Sequence, residues 1–314
     1  MIPILFAHVN HEICTIIASN LCGNCCFSFY WAISVDSFAL LCYFLLNEAS
    51  DIARVNANNV KEVLMRKQWT VKAVQVGSIT LDRSAMTHFK GKGERIVVPI
   101  WSAAATDGEH KVVVDTGIRD IDFYKISEPG AEQTPDQICA AAVKKAVGWD
   151  PDEVDIVINT HLHCDHSGGN AAFKNAAFYV QKTEWEEAFN PIIPEAPFYD
   201  KLCYDKHAVN FFQWHFLDGD TEILPGLRVI TTPGHTRGHQ SAMFDTAKGV
   251  VCVSGDICNV AENVNENLEP NIIIQVTETY ESFKRIRQFA DFILPGHEPG
   301  IEDGSEDFIP VIDA

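Results

Sequence analysis

With 314 residues, 46% of them hydrophobic, the chain is long enough for one large domain or two small ones and too apolar for a disordered or fibrous protein. Its 43 acidic residues against 24 basic ones give a formal charge of -19. Such a surface repels phosphate backbones and no Lys/Arg-rich run offsets it, so nucleic acid is not expected as a partner.

In chain order, the first problem is the N-terminus. Residues 1–46 are apolar and contain no Lys or Arg; the first basic residue is Arg54. The run "FSFYWAISVDSFALLCYFLL" (27–46) is long enough to cross a bilayer, but Asp36 within it is costly at mid-membrane. It has neither the charged start nor the small-residue cleavage site of a secretory signal. A membrane anchor, a core helix and sequence outside the mature protein are the three readings. Met65, followed by "RKQWTVKAVQVGSITLDRS", reads as a natural start of a soluble domain, and this favours the third. Residues 1–64 are then an extension with no role in chemistry, and 65–314 the functional domain. Membrane association is expected only if 1–46 is a real anchor. "CGNCC" (22–26) has C-x-x-C spacing without a second pair, and reads as part of an apolar segment. Five further cysteines, Cys139, Cys164, Cys203, Cys252 and Cys258, are scattered singly, as in a reduced, cytoplasmic protein.

From Val71 onward short apolar runs alternate with turns and helical stretches. "VKAVQVGSITL" and "RIVVPIWSAAA" read as strands, and "HKVVVDTG" (110–117) as a buried strand ending in a tight turn. "TPDQICAAAVKKAVG" (134–148) reads as a helix with Thr134 as N-cap, Pro135 at the first position and Gly148 at the C-cap. "VDIVINT" (154–160) and "AAFYVQ" (176–181) are strands, and "TEWEEAFN" is a short helix that "PIIPEAP" stops. "LRVITTPG", "SAMFDT" and "GVVCVSGD" add three strands. "TETYESFKRIRQF" (277–289) is a helix with apolar positions three to four apart, and "DFILPGH" a last short strand. Many strands mixed with helices of ordinary length predict sheets covered by helices, with functional residues on loops at strand ends.

The chemistry concentrates after the strand 154–160. "HLHCDH" packs three histidines and an aspartate into six positions, in a chain with 12 histidines altogether. On an extended chain residues i and i+2 point the same way, so His161 and His163 can be aimed at one point; on a helix they would diverge. Asp165 and His166 follow as the chain turns, and Gly168-Gly169 would permit a sharp bend. Imidazole and carboxylate are the ligand set of zinc or a similar divalent ion. His235 in "PGHTRGH", Asp256 in "SGD" and His297 in "PGHE" each stand at the end of an apolar run. Singly each reads as a turn residue; together, several strand ends presenting metal ligands make a site. His239 reads as a partner behind the ligands, His110 as no ligand, and Cys164 and Cys258 as packing.

These motifs resemble the metallo-β-lactamase superfamily over residues 71 to about 300. H-x-H-x-D-H stands as His161, His163, Asp165 and His166, and the early aspartate motif as Asp115 in "VVVDTG". The resemblance implies an αββα sandwich, two mixed β-sheets flanked by helices. It implies two divalent ions, zinc first. One is held by His161, His163 and His235, the other by Asp165, His166 and His297, with Asp256 bridging. A hydroxide between the ions would attack an acyl carbon while the metals stabilise the oxyanion, and Asp165 would also orient the nucleophile. The order of elements, with "VGSITLDRS" and "PGHTRGHQS…SGD", is most similar to the N-acyl homoserine lactonase branch. Those lactonases carry a tyrosine three residues after the bridging aspartate; here Asn259 stands there, and an amide donates a hydrogen bond but cannot act as a phenol. Tyr199, Tyr204 and Tyr280 are the tyrosines considered as substitutes. The loop "FNPIIPEAPFY" (189–199) reads equally as the wall of an acyl pocket and as a surface loop.

The expected activity is thus hydrolysis of a small lactone or ester, with a homodimer as one possible assembly. A glyoxalase II-type thioesterase or another carboxylic-ester hydrolase of the superfamily is the alternative. The reading from a different class is a non-catalytic member that binds a metabolite, against which the complete ligand set argues.

Overall fold

The computed structural model describes residues 68–205, 207 and 210–312. The expectations for 1–64, the anchor-length run 27–46 and "CGNCC" included, lie outside the described residues. The first long apolar stretches pair with each other. Strand β1 (Thr70–Asp82) and β2 (Arg95–Thr106) form an antiparallel hairpin in register from Thr70↔Thr106 to Asp82↔Arg95, with one shift between Gln75 and Gly77. Val76 is the extra residue of this bulge, and it reverses which face each side chain takes. Val71 and Ala73 before it point into the cluster between the sheets, while Val74, Val76, Ile79 and Leu81 all reach the cluster on the opposite face.

β3 (Lys111–Val114), helix α1 (Ile121–Ser127), the short β4 (Ala131–Glu132) and helix α2 (Cys139–Val147) follow. Then come β5 (Ile156–Ile158), β6 (Ala177–Gln181), helix α3 (Lys182–Phe189) and β7 (Gln213–Leu217). These strands form one seven-stranded sheet in the order β4-β1-β2-β3-β5-β6-β7, with β3, β5, β6 and β7 parallel. The Val and Ile runs of β3 and β5 are buried throughout, as parallel central strands require. The second sheet takes β8 (Thr221–Leu224), β9 (Leu227–Thr231), β10 (Gln240–Thr246) and β11 (Gly249–Gly255). After helices α4 (Ala261–Glu266) and α5 (Val276–Phe289), β12 (Phe292–Pro295) and β13 (Ile309–Pro310) complete it, in the order β13-β12-β11-β10-β9-β8.

The two sheets face each other across one apolar cluster. Val112, Val114, Ile156 and Ile158 of the first meet Leu227, Val229, Phe244 and Val253 of the second. Outside the first sheet Tyr124, Ala142 and Val143 of α1 and α2 cover its other face. Outside the second, Val264, Phe283 and Ile286 of α4 and α5 do the same. This is the expected αββα layering. No helix among the described residues is long and apolar enough to cross a membrane.

One local expectation needs correction. The helix expected over 134–148 begins only at Cys139, because Pro135–Gln137 closes a separate 3-10 turn and Ile138 is extended (φ -59°, ψ 125°). Gly148 does end it, in the left-handed region at φ 80°. Gly168 and Gly169 do turn the chain, with Asn170 N–H donating to Ser167 O at 3.2 Å, and they also serve close approach. Gly168 N–H donates to Gly117 O at 2.7 Å, and a Cβ on Gly168 would fall onto the backbone of Arg119 and Gly117. The turn bearing His161–His166 is thereby pressed against the turn after β3. Gly168→Ala is expected to destabilise the fold by about 3 kcal/mol or more in urea unfolding, since backbone cannot yield as overpacked side chains do.

Candidate metal centre

β5 stops at Ile158 because the chain is then taken over by Asp115, at the end of β3. Asp115 accepts from Thr160 N at 2.7 Å, from Thr160 Oγ1 at 2.7 Å and from His166 Nδ1 at 2.8 Å. It does so from the left-handed region, at φ 58°, a conformation that favours Asp and Asn among residues bearing a side chain. The segment from His161 then folds back so that His166 N–H donates to His163 O at 3.0 Å.

Two groups of donor atoms result. His161, His163 and His235 form one; Asp165, His166, Asp256 and His297 form the other, each within 4.8 Å internally and all buried. The first sheet supplies His161 to His166 from the end of β5. The second supplies His235 after β9, Asp256 after β11 and His297 after β12. All seven expected ligands are brought together. His235 Nε2 lies 3.0 Å from His163 Nδ1. Two nitrogens on one tetrahedral zinc, each at about 2.05 Å, would lie about 3.3 Å apart, so this is a ligand-to-ligand spacing. Asp256 stands between the groups: Oδ1 is 3.1 Å from His166 Nε2, and Oδ2 is 3.7 Å from His235 Nε2 and 3.3 Å from His297 Nε2. Its turn depends on Gly255, at φ 56°, where a Cβ would meet Thr160 Oγ1 at 2.5 Å and His239 Nε2 at 2.9 Å.

The far ring nitrogens are fixed from behind. His235 Nδ1 lies 2.9 Å from Ile272 O and His297 Nδ1 2.8 Å from Pro99 O, so these nitrogens carry the protons and Nε2 is left as acceptor. Meanwhile His161 Nε2, His166 Nε2 and Asp256 Oδ1 are buried without a hydrogen-bond partner. Lone pairs stranded together in this way fit divalent cations. Burial, then the neighbouring imidazoles, holds His161 and His163 well below the usual histidine range, so both are neutral. Burial opposes charge on His166 and His297 as well, but the Asp256 carboxylate outweighs it and pushes both up. The field that attracts protons there attracts metal cations equally.

Other residues take the places expected of them, with one exception. His239 packs behind the site, its Nδ1 2.9 Å from Thr232 Oγ1 and its ring 5.2 Å from that of His161. Cys164 and Cys258 are core side chains, and His110 pairs with Asp107. Asn259 is buried beside the site; its O accepts from His297 N at 2.8 Å and its Oδ1 has no partner. The loop 189–199 divides: Ile193 is fully in solvent, whereas the rings of Phe198 and Tyr199 lie 5.3 and 4.7 Å from that of His163. The exception is the set of substitute tyrosines. Tyr199 Oη donates to Glu184, Tyr204 Oη to Ala188 O, and Tyr280 Oη to Glu269, so none is free for substrate. The hydroxyl that does reach the site belongs to Tyr124, 2.7 Å from Asp165 Oδ2, a residue that no motif or periodicity singled out. Burial, then the charge of Asp165, pushes this phenol well above its usual range, so it stays a donor.

Glu184 of α3 was equally hidden. It accepts from Leu162 N at 2.9 Å, Tyr199 Oη at 3.1 Å and Thr236 Oγ1 at 2.6 Å, and so clamps the His161–His163 turn to the His235 turn.

An αββα sandwich with two adjoining His/Asp groups at the rim of both sheets defines a class of metal-binding proteins. The chain belongs to the metallo-β-lactamase superfamily, whose family model matches residues 95–297. It is 29% identical over 248 residues to an N-acyl homoserine lactonase of a Bacillus species, covering 75% of this chain and 95% of the relative. It is 32% identical over 175 residues to the N-acyl homoserine lactonase AttM of Azorhizobium caulinodans, covering 52% of this chain and 65% of that one. Among solved structures, an N-acyl homoserine lactone hydrolase with the product N-hexanoyl-L-homoserine bound at its catalytic metal centre matches with TM-score 0.64 and 26% identity, over 75% of this chain and 95% of that chain.

Burial pushes the Glu184 carboxyl up to about 7 from a usual 4.5, against its three hydrogen bonds. The folded chain therefore keeps this proton at pH values where the unfolded chain has lost it. Its contribution is fully present below about 4.5 and is lost as the pH rises to about 7, a fall on the order of 3 kcal/mol. Glu184→Gln is expected to flatten that part of the stability profile, read from urea midpoints at a series of pH values.

Proposed function

We propose that this chain is a metal-dependent hydrolase that opens lactones, N-acyl homoserine lactones or related cyclic esters, with two divalent cations, zinc first, as cofactors. The observation that carries the reading is the convergence of two ligand groups on one shared carboxylate, Asp256. Similar proteins that are named lactonases support the substrate class. In this reading His161, His163 and His235 would hold one ion, Asp165, His166 and His297 the other, with Asp256 as the carboxylate that both would share, all within the 65–314 domain.

When bound, such ions would lower the pKa of a nearby water and polarise an ester carbonyl, chemistry that suits the opening of a lactone. The chain's own residues do the positioning. Asp115, Ile272 O and Pro99 O fix the imidazoles of His166, His235 and His297. Asp165 orients the attacking water by accepting its hydrogen bond. Asn259, buried three residues after Asp256, donates its amide N–H to the substrate carbonyl in place of a phenol. Phe198 and Tyr199 wall the His163 side with aromatic surface, which fits an uncharged acyl group.

The test is to express the full chain, measure bound metal, and assay homoserine lactones, thioesters and aryl esters. Two metal equivalents and lactone turnover that is lost on chelation and restored by zinc are expected. Turnover of thioesters with lactones inert would replace the substrate by that of a glyoxalase II-type enzyme, and a chain that holds no metal under any loading would end the reading. Asp256→Asn is expected to lower kcat by more than about 100-fold, beyond the range of partners outside the ligand sphere, in the same assay. Chelation is also expected to lower Tm, because it leaves the stranded nitrogens and carboxylate oxygen unsatisfied.

A further inference from the structure

Helix α1 brings to the centre a group whose surroundings are built to hold it still. Tyr124 is 3% exposed, and its hydroxyl donates to Asp165 Oδ2. That same oxygen faces the second ligand group, 3.7 Å from His166 Nε2. A carboxylate terminus has a broad, soft torsion and can exchange one oxygen for the other; a fixed donor on one oxygen removes that freedom. The donor is itself fixed. Asp120 caps α1 by accepting from the amides of Asp122 and Phe123 at 3.0 and 3.1 Å. Arg119, just before the cap, pairs with Asp200 at 2.6 Å, next to the Phe198–Tyr199 wall. Gly168 presses the Asp165 turn against the chain that enters α1. Helix, wall and ligand turn therefore hold one another in place.

We propose that Tyr124 is a positioning residue for the second cation: its hydroxyl orients Asp165 so that this carboxylate, with His166, Asp256 and His297, holds a divalent ion. The inference rests on the metal ligation proposed above, not on the lactone substrate. Loss of the hydroxyl strips Asp165 Oδ2 of its donor and lets the carboxylate turn. The bond goes to the second group, so the ion held by His161, His163 and His235 is expected to stay.

The zinc-loaded full chain and its Y124F variant are dialysed against a graded chelator, and zinc per chain is measured by elemental analysis. Y124F is expected to lose one of its two ions at a free-zinc concentration about 10-fold higher or more than the wild type does, and the other at the wild-type concentration. Retention of both ions at wild-type concentrations, or equal weakening of both, overturns the proposal. A second measurement needs no variant. In the wild-type chain titrated with cobalt(II), the ring protons of Tyr124 are expected to show their larger paramagnetic shift on filling of the site whose cobalt also shifts the ring protons of His166 and His297 most. A larger shift on filling of the other site overturns the proposal. Neither measurement uses a substrate, so inert lactones would sink the functional reading and leave this one standing.

Discussion

Lone pairs that the protein itself cannot satisfy govern this structure. Imidazole nitrogens of His161 and His166 and a carboxylate oxygen of Asp256 are out of water and without a partner, a state that costs a few kcal/mol per group in the absence of compensation. Much of the surrounding architecture keeps them so. Asp115 leaves the ordinary backbone regions to hold His166 and Thr160. Backbone carbonyls of Ile272 and Pro99 claim the outer nitrogens of His235 and His297, so the inner ones cannot turn away. Glu184 ties two ligand turns together from below.

The sandwich supplies the rigidity for this. Each sheet buries one face against the other and one against helices, which leaves only the strand ends free to vary. The bulge at Val76 shows how closely the layers are fitted. Without the extra residue, Ile79 and Leu81 would turn toward the opposite side of the sheet, and the α1–α2 layer would lose part of its floor. Side chains at the rim inherit their positions from strands that cannot slide.

What could be read in the chain beforehand follows from the range of the forces involved. The spacing of His161 and His163 and the placement of His235, Asp256 and His297 after apolar runs are local patterns, and local patterns survive in a linear sequence. The αββα layering followed from the alternation of strands and helices together with the family resemblance. Tyr124 was invisible because "IDFYKIS" carries no signal beyond a short helix; its meaning arises only when α1 meets a turn 41 residues away. Glu184 sits in a charged helix whose period gives no hint that this one carboxylate is the buried one. Gly168 was legible as a turn residue but not as a point of close approach, since the backbone it meets, at Gly117 and Arg119, comes from far earlier in the chain. β7 escaped notice because its residues, on an edge, alternate poorly between core and water.

One consequence follows from the fact that both sheets contribute ligands to each group. Ions lodged there would act as rivets across a seam, joining halves of the molecule that otherwise meet through apolar side chains and a set of hydrogen bonds such as Gln240 N–H to Thr160 O. Loss of the ions would loosen that edge of the sandwich. The supply of metal in the surroundings would then set how long each molecule survives proteases and heat, as well as how fast it works.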